Sequence, residues 1–529
     1  MSPIGHVRSD AWGLALVLLG ALVLRVPLAA RAPSPGIADP TYYYNVARSL
    51  ADGRGFEVDF LWQFHQPPAD VTHQTNYYPP LAAVLVAGGL ATAGRSVGAA
   101  LIAPVVFGAV VLPLFAWALA GAAGLQGGGR LFAAAAVASM PEFVLNAVRT
   151  DTTIFFVPFA GLSLLGMGAW LAAPEAPRGR WWMVMAGLAA GLAYLTRLDG
   201  LLLVPTALVV LAVAARGVAG RSRWVTLGAA LVVFLVPLLA VIAPWLVRNH
   251  LVLGTMFPVR LGQTMFVTEV LDLFTYGRTF TLQSYLDWGA GNIASKIAFE
   301  ALGNAKMLVV LLAAFAPFVL AGLGMLAGRL VPERPRLVVL LPAVVFLAGA
   351  FVYYTALVPL LSQSGSFKKA VMTLVPFGAV VGAWAVQVMV PAVRGRAVLQ
   401  AAVSALLVFQ ALDLVRLDFR RIDEYEAMLA PTRAALDALP DVNGDGRVVV
   451  MTQDPFQWNS YGYPAVMLPN DDRDTIVEAA RRYAVDYFVF PADRAALDAV
   501  QFGEEDDPRL QRVWRNARTG MAIYRLVSP

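Results

Sequence analysis

Apolar blocks of near-bilayer length fill this chain from residue 11 to residue 415. A bilayer needs about 20 apolar residues per helix, with some latitude for tilt. By that measure spans are expected at 11–30, 97–122, 130–148, 152–173, 181–196, 200–216, 224–247, 305–328, 337–358, 369–392 and 397–415. The run 79–94 opens with Pro79-Pro80 and is interrupted by Gly88-Gly89, which suits a juxtamembrane half-helix better than a span. Just past the first span, Tyr43, Val46, Ala47, Leu50 and Phe56 recur at roughly helical spacing before Gly53 and Gly55 end the pattern. Beyond 417 the pattern changes. Strand-like runs (Arg447–Met451, Ala465–Leu468, Tyr487–Phe490, Ala522–Leu526) alternate with helical ones (Asp423–Leu439, Asp474–Tyr483, Ala492–Val500), as in a small α/β domain.

Arginine fixes the orientation. With 79–94 not crossing and the N-terminus inside, one side holds Arg8, Arg130, Arg178, Arg180, Arg216, Arg221, Arg223, Arg329, Arg334, Arg336, Arg394 and Arg396. This is what the positive-inside rule asks. The expectation is an α-helical polytopic membrane protein of eleven spans over 1–416. Loops 31–96 and 248–304 and a soluble α/β tail, 417–529, lie outside.

Composition agrees: 58% of the 529 residues are hydrophobic and 14% are charged. There are no cysteines, which excludes disulfides and thiolate metal sites. The formal charge of +5 lies in short loops between apolar runs, so nucleic acid is not an expected partner. Arginine far outnumbers lysine, as in GC-rich bacterial genomes. The first span has no small-residue cleavage pattern and reads as a retained anchor.

Candidate chemistry gathers where spans meet the outer surface. Asp39 follows the first span in Gly36-Ile37-Ala38-Asp39-Pro40, where it can serve as a general base or simply start a helix. Asp151 and Asp199 share that depth with Arg149, Arg197, Arg248, Lys368 and Lys369. Ionisable groups at this depth are costly unless they pair or serve a site, although boundary arginines also snorkel. The only lysines, Lys296, Lys306, Lys368 and Lys369, all fall on the outer side, against the arginine bias. A cation cluster there fits a phosphate headgroup.

The order of several short elements carries a resemblance. After Asp39 come Ser49-Leu50-Ala51-Asp52-Gly53-Arg54-Gly55-Phe56, Tyr78-Pro79-Pro80-Leu81, Arg149-Thr150-Asp151, Gly187 through Arg197, and Pro244-Trp245-Leu246-Val247-Arg248-Asn249. Across roughly 10–420 the chain resembles the GT-C superfamily of membrane glycosyltransferases, nearest the protein-mannosyltransferase and aminoarabinose-transferase-like branch. The resemblance implies a polyprenyl-phosphate sugar donor, transfer on the external face, and a glycan, lipid or protein acceptor. It matches Asp39 to the family's catalytic Asp and Asp151 to the acidic residue of the second external loop, a second catalytic candidate that could serve a covalent intermediate, although direct displacement with inversion is expected. It also implies that Arg248 and Ser366-Phe367-Lys368-Lys369 lie near the donor phosphate, with Arg149, Arg197 and Tyr78 as further substrate-binding candidates. Two positions depart from the family: Tyr78 replaces the usual His before Pro-Pro-Leu, and Asp39-Pro40 replaces the Asp-Glu of some relatives. The setting would be the bacterial cytoplasmic membrane, with site and tail facing outward.

Other signals are weaker. Asp441-Val442-Asn443-Gly444-Asp445-Gly446 opens like a calcium loop, but position 12 is Thr452 rather than Glu, and a turn is simpler. His65 and His73 accompany Asp59 and Asp70 in a long polar loop, which could form a metal site, although solvated histidines are the expectation. No cofactor is implied, and no divalent-metal pattern stands out. Gly187-x3-Gly191 reads as a helix-packing face. In the tail, Asp454 to Trp458 and Tyr461-Gly462-Tyr463 either line an acceptor entrance or form the domain's own core. A lipid-linked-glycan transporter or flippase and a non-enzymatic scaffold are the rival functions. The first would want mid-membrane charges or repeats. The second would not need Asp39.

Overall fold

Helices dominate because a bilayer leaves backbone groups no partner except one another. The computed structural model describes residues 3–64, 66–173, 179–215, 221–258, 261–328, 337–363 and 365–527. His65, Arg178, Arg216, Arg329, Arg334 and Arg336 lie outside the described residues. Among the described residues seven helices are long and apolar enough to cross: Asp10–Ala30, Ile102–Ala122, Thr153–Ala172, Leu227–Leu253, Val338–Leu357, Ser366–Met389 and Val393–Asp437. A pair bent by 86°, Ala290–Val310 with Ala313–Ala327, is an eighth candidate. The exposed Trp12, Leu16, Leu19, Val23 and Val26 of the first span are the kind of surface that lipid covers.

Several expected spans take another form. The stretch 130–148 is broken into Gly128–Ser139 and Pro141–Asn146. Pro141 cannot donate a backbone hydrogen bond and disfavours helix in the residue before it. Segment 181–196 is the helix Gly179–Thr196, and 200–216 is the short apolar stretch Leu198–Ala214. The run at 79–94 forms the thirteen-residue helix Leu81–Ala93. The tail helix expected at Asp423–Leu439 is no separate element, because the last span runs without a break from Val393 to Asp437.

Two compact units partition the chain. The first holds Met1–Ala32, Tyr78–Arg248 and Ala294–Leu417; the second holds Pro33–Tyr77, Asn249–Ile293 and Asp418–Pro529. The second unit thus takes in most of both external loops as well as the tail, a different grouping from the expected 1–416 and 417–529.

The second unit is built from α1 (Asp39–Ala51), β1 (Phe60–Leu61), β2 (Val450–Thr452), α2 (Pro455–Ser460), β3 (Ala465–Met467), α3 (Arg473–Arg482), β4 (Tyr487–Phe490), β5 (Leu510–Arg515) and β6 (Ala522–Leu526). Its six-stranded sheet has the order β1-β3-β2-β4-β6-β5. The first four strands are parallel, and β6 and β5 add antiparallel. Buried runs such as Tyr487–Phe490 show no alternation, as strands covered on both faces require. The edge strand β1 comes from the first external loop, with Phe60 opposite Ala465 and Leu61 opposite Val466. Sequence reading missed β1 and β5. It also placed a helix over Ala492–Val500, where the chain forms only a 3₁₀ turn at Ala495–Leu497 and a short helix at Asp498–Phe502.

Candidate functional site

In the first unit, the turn between Pro141–Asn146 and Thr153–Ala172 presents Arg149-Thr150-Asp151. Asp151 lies just ahead of the following helix, whose first residue is Thr153. Its Oδ1 accepts the backbone N–H of Thr153 at 2.8 Å and the Thr153 hydroxyl at 2.6 Å. Its Oδ2 accepts from the Lys369 ammonium at 2.7 Å. Burial opposes ionisation of Asp151, but Lys369 and the Thr153 donors outweigh it and hold the carboxyl well below the usual carboxylate range. The neighbouring Lys368 pairs with Glu142 at 2.6 Å.

A second acid joins this network through a tight reversal. After Gly179–Thr196 the chain folds back as a 3₁₀ turn, Leu198–Leu202. Only glycine fits at position 200, since a Cβ there would lie 2.3 Å from the Tyr194 amide nitrogen. The reversal brings Asp199 onto Arg197, whose Nε and Nη2 donate at 2.6 and 2.5 Å. Arg197 Nη1 reaches Thr152 Oγ1 at 3.2 Å, and that hydroxyl lies 3.4 Å from Asp151 Oδ1. Tyr354, on the π-helical turn Tyr353–Leu357, donates its hydroxyl to Asp199. Such turns often re-aim a side chain at functional sites. A continuous polar chain therefore runs Tyr354, Asp199, Arg197, Thr152, Asp151, Lys369.

The helix bearing Arg197 is set by its glycine face. A Cβ on Gly187 would lie 2.1 Å from the Phe234 carbonyl oxygen, and one on Gly191 would lie 2.7 Å from Val241. These glycines therefore pack helix against helix, as read from the sequence. On the helix they pack against, the Arg248 guanidinium carbon lies 5.1 Å from the centre of the Trp245 ring. Arg149 is half-buried two residues before Asp151, and Tyr78 is half-buried just ahead of Pro79-Pro80.

Asp39 belongs to the second unit. It is half-buried and forms the first residue of α1, with Pro40 next. The N-cap is Ala38, at φ 63° and ψ −120°, a strained conformation for a residue with a Cβ. A carboxylate at this end of a helix faces the positive pole of the helix dipole.

The weaker signals resolve simply. Asp441 accepts the backbone N–H groups of Gly444 at 2.7 Å and Gly446 at 2.6 Å, the bonding of a turn. His73 Nδ1 pairs with the Val71 carbonyl at 2.8 Å, and burial lowers the pKa of the imidazole. Among the described residues no three His, Asp or Glu side chains converge to hold a metal ion. In the tail, Phe456 and Trp458 are buried as core. Tyr461 and Tyr463 are half-buried, and their hydroxyls donate to Glu426 and Asp437.

Of this network, sequence reading named Asp151, Asp199, Arg197, Lys368 and Lys369 but not Glu142, Thr152, Thr153 or Tyr354. Glu142 follows Pro141 at a helix start, which was the one available signal. Nothing local marked Tyr354.

The family profile of dolichyl-phosphate-mannose-protein mannosyltransferases matches residues 78–247. Among solved structures, ArnT from Cupriavidus metallidurans in the apo state is similar over 98% of this chain and 98% of its own, with 14% identity and a TM-score of 0.61. The same protein bound to undecaprenyl phosphate is similar over 100% of this chain and 99% of its own, with 15% identity and a TM-score of 0.56. An Archaeoglobus fulgidus oligosaccharyltransferase in complex with Zn and sulfate is similar over 89% of this chain and 67% of its own, with 16% identity and a TM-score of 0.54. No curated protein sequence matches the chain significantly.

Proposed function

We infer that this chain is a membrane glycosyltransferase of the GT-C superfamily that moves a sugar from a polyprenyl-phosphate donor to an acceptor hydroxyl with inversion; the profile over 78–247 and the fold shared with ArnT support this. The observation that carries the reading is the polar chain ending in Asp151 and Lys369, with Lys368 beside it. It provides a charged cradle at the end of apolar spans, which suits an anionic headgroup on a lipid tail. Asp39 is the base. It takes the proton of the acceptor hydroxyl as that oxygen bonds to the anomeric carbon, while the bond from that carbon to the phosphate oxygen breaks. The electron pair leaves with the polyprenyl phosphate. A phosphate is already a good leaving group, so no general acid is required. Arg248, Lys368 and Lys369 stabilise the departing charge, Arg149 and Arg197 add positive potential, and Tyr78 contacts substrate.

Asp151 is the counter-charge of Lys369 rather than a nucleophile, because its lone pairs are engaged by Lys369 and Thr153. The enzyme works in the bacterial cytoplasmic membrane, on the outer face, and its acceptor is a glycan, lipid or protein. The test is Asp39→Asn, with the polyprenyl-phosphate sugar extracted from cells lacking the gene as substrate. Turnover should fall by about 10²-fold or more while donor binding persists. Turnover near that of the wild type would overturn the assignment.

A further inference from the structure

The helix that carries Asp39 is fastened to the tail. Asn45 is buried on α1, and its Nδ2 donates to the Phe456 carbonyl of α2 at 2.9 Å. One turn further along α1, Arg48 Nη1 donates to the Ser460 carbonyl at 3.2 Å. Both acceptors sit in α2, a six-residue helix capped by Asp454, whose side chain accepts from the Gln457 N–H at 3.3 Å. Aromatic rings fill the space between the two helices. Tyr42 meets Phe456 edge-on at 5.3 Å and Phe60 of β1 at 5.4 Å, and Phe60 meets Phe456 at 5.1 Å. All of these residues lie within the second unit.

Two features exceed what packing alone requires. An amide such as Asn45 is costly to bury, and among the described residues its Oδ1 has no hydrogen-bond partner. A small apolar residue would fill the place more cheaply but would not fix the rotation of α1 about its axis. In addition, Ala38 holds its unfavourable backbone angles immediately before Asp39. Strain of that kind persists only where the surroundings over-determine it. Thr41 Oγ1 bonding back to the Gly36 carbonyl at 2.7 Å supplies part of that constraint.

We propose that the tail belongs to the catalytic apparatus as the seat of α1, and that Asn45 and Arg48 are positioning residues for the Asp39 carboxylate. This rests on the reading of Asp39 as base. It assigns the tail a role beyond either lining an acceptor entrance or packing its own core. A base displaced by about 1 Å costs up to about 10²-fold in rate without any change in donor affinity.

The test uses full-length protein and the polyprenyl-phosphate sugar extracted from cells lacking the gene. Asn45→Ala should lower kcat about tenfold, and Arg48→Ala by less, with donor KM unchanged. The solvent deuterium isotope effect on kcat should rise, since proton transfer becomes more rate-limiting; a purely structural role would not move it. Arg473→Ala, which removes the pairing with Glu505 at 2.8 Å elsewhere in the same unit, controls for stability and should leave kcat unchanged. Phe456→Leu, which keeps the backbone acceptor but loses the ring contacts, should show the Asn45→Ala signature more weakly. The proposal falls if kcat of Asn45→Ala stays within twofold of wild type, or if its loss merely follows thermal stability as in the control. An inactive Asp39→Asn beside a fully active Asn45→Ala would sink this inference alone. An active Asp39→Asn would sink the base itself.

Discussion

Asp151 in the first unit and Asp486 in the second are both buried carboxylates with several donors, yet their acidities move in opposite directions. Asp486 is 1% exposed and accepts the backbone N–H groups of Val442, Asn443 and Val449 at 3.0, 3.1 and 2.8 Å. Burial, helped by the Asp441 carboxylate, still pushes its carboxyl above the usual range, and among the described residues no cation pairs with it to offset the lost water. Asp151 is 4% exposed and has fewer backbone donors, but it has Lys369, and its carboxyl is pulled down. Neutral hydrogen bonds can fix a loop, as Asp486 does for 441–446. A carboxylate that must stay ionised beside an anionic substrate needs a counter-charge. The first unit holds such pairs at Asp151–Lys369, Asp199–Arg197 and Glu142–Lys368. These three acids are each paired with a cation, whereas Asp486 is held by neutral donors.

The sharpest way to break this contrast is to unpair one side. Lys369→Met leaves Asp151 as an uncompensated buried charge and should cost about 3–5 kcal/mol. Asp151→Asn should cost less, because Lys369 retains partial access to water. The double variant should recover most of the stability, since the pair's own net worth is small. Thermal unfolding of the four proteins gives the coupling. If the single losses simply add, Asp151 and Lys369 are independent and the contrast with Asp486 fails. Activity should stay low in all three variants.

Arg248 sharpens the same comparison from the ligand side. Its charge rests over the Trp245 ring. Arg248→Ala should lower kcat/KM for the donor by about 10–100-fold, matching a charge-assisted hydrogen bond of roughly 1.5–3 kcal/mol. Trp245→Leu should cost less, about 1–2 kcal/mol, since the ring is buried and the guanidinium half-buried. Unchanged kinetics in both would make Arg248 a lipid anchor.

Much of this was legible in the chain, and the misses share a cause. Seven of the eleven expected spans, the tail's parallel strands and the closeness of Asp151 to Lys369 follow from local pattern. Glu142, Tyr354 and strand β1 depend on contacts between residues far apart in sequence: Lys368 with Glu142, Tyr354 with Asp199, Phe60 with Ala465. The two-residue strand β1 has no periodicity to read. It exists because β3 offers it an edge. The turn carrying Tyr354 departs from α-helical spacing, so a pattern of period 3.6 places that hydroxyl on the wrong face. The grouping of the external loops with the tail was hidden for the same reason, as each loop taken alone is only a polar connection.

The smallest expected effect tests the contrast through pH. Asp151 has a lowered folded pKa, so its stabilisation is present above the ordinary carboxylate value of about 3.9 and is lost as pH falls below it. Asp486 has a raised folded pKa, so the unfolded chain ionises first. Its effect is a loss of stability as pH climbs from about 3.9 through the raised value. Asparagine removes both titrations. The deficit of Asp151→Asn relative to wild type should therefore shrink on acidification from pH 6 toward pH 3. Asp486→Asn carries a fixed cost of about 1–3 kcal/mol, since its amide can turn a second donor toward an N–H that the carboxylate accepts. That deficit should shrink in the opposite direction, from pH 4 toward pH 7, as only the wild type must bury an ionised group. Melting temperatures across this range would show two difference curves of opposite slope. Parallel curves would mean that Lys369 does not set the charge state of Asp151, and the distinction between site carboxylate and scaffold carboxylate would be lost.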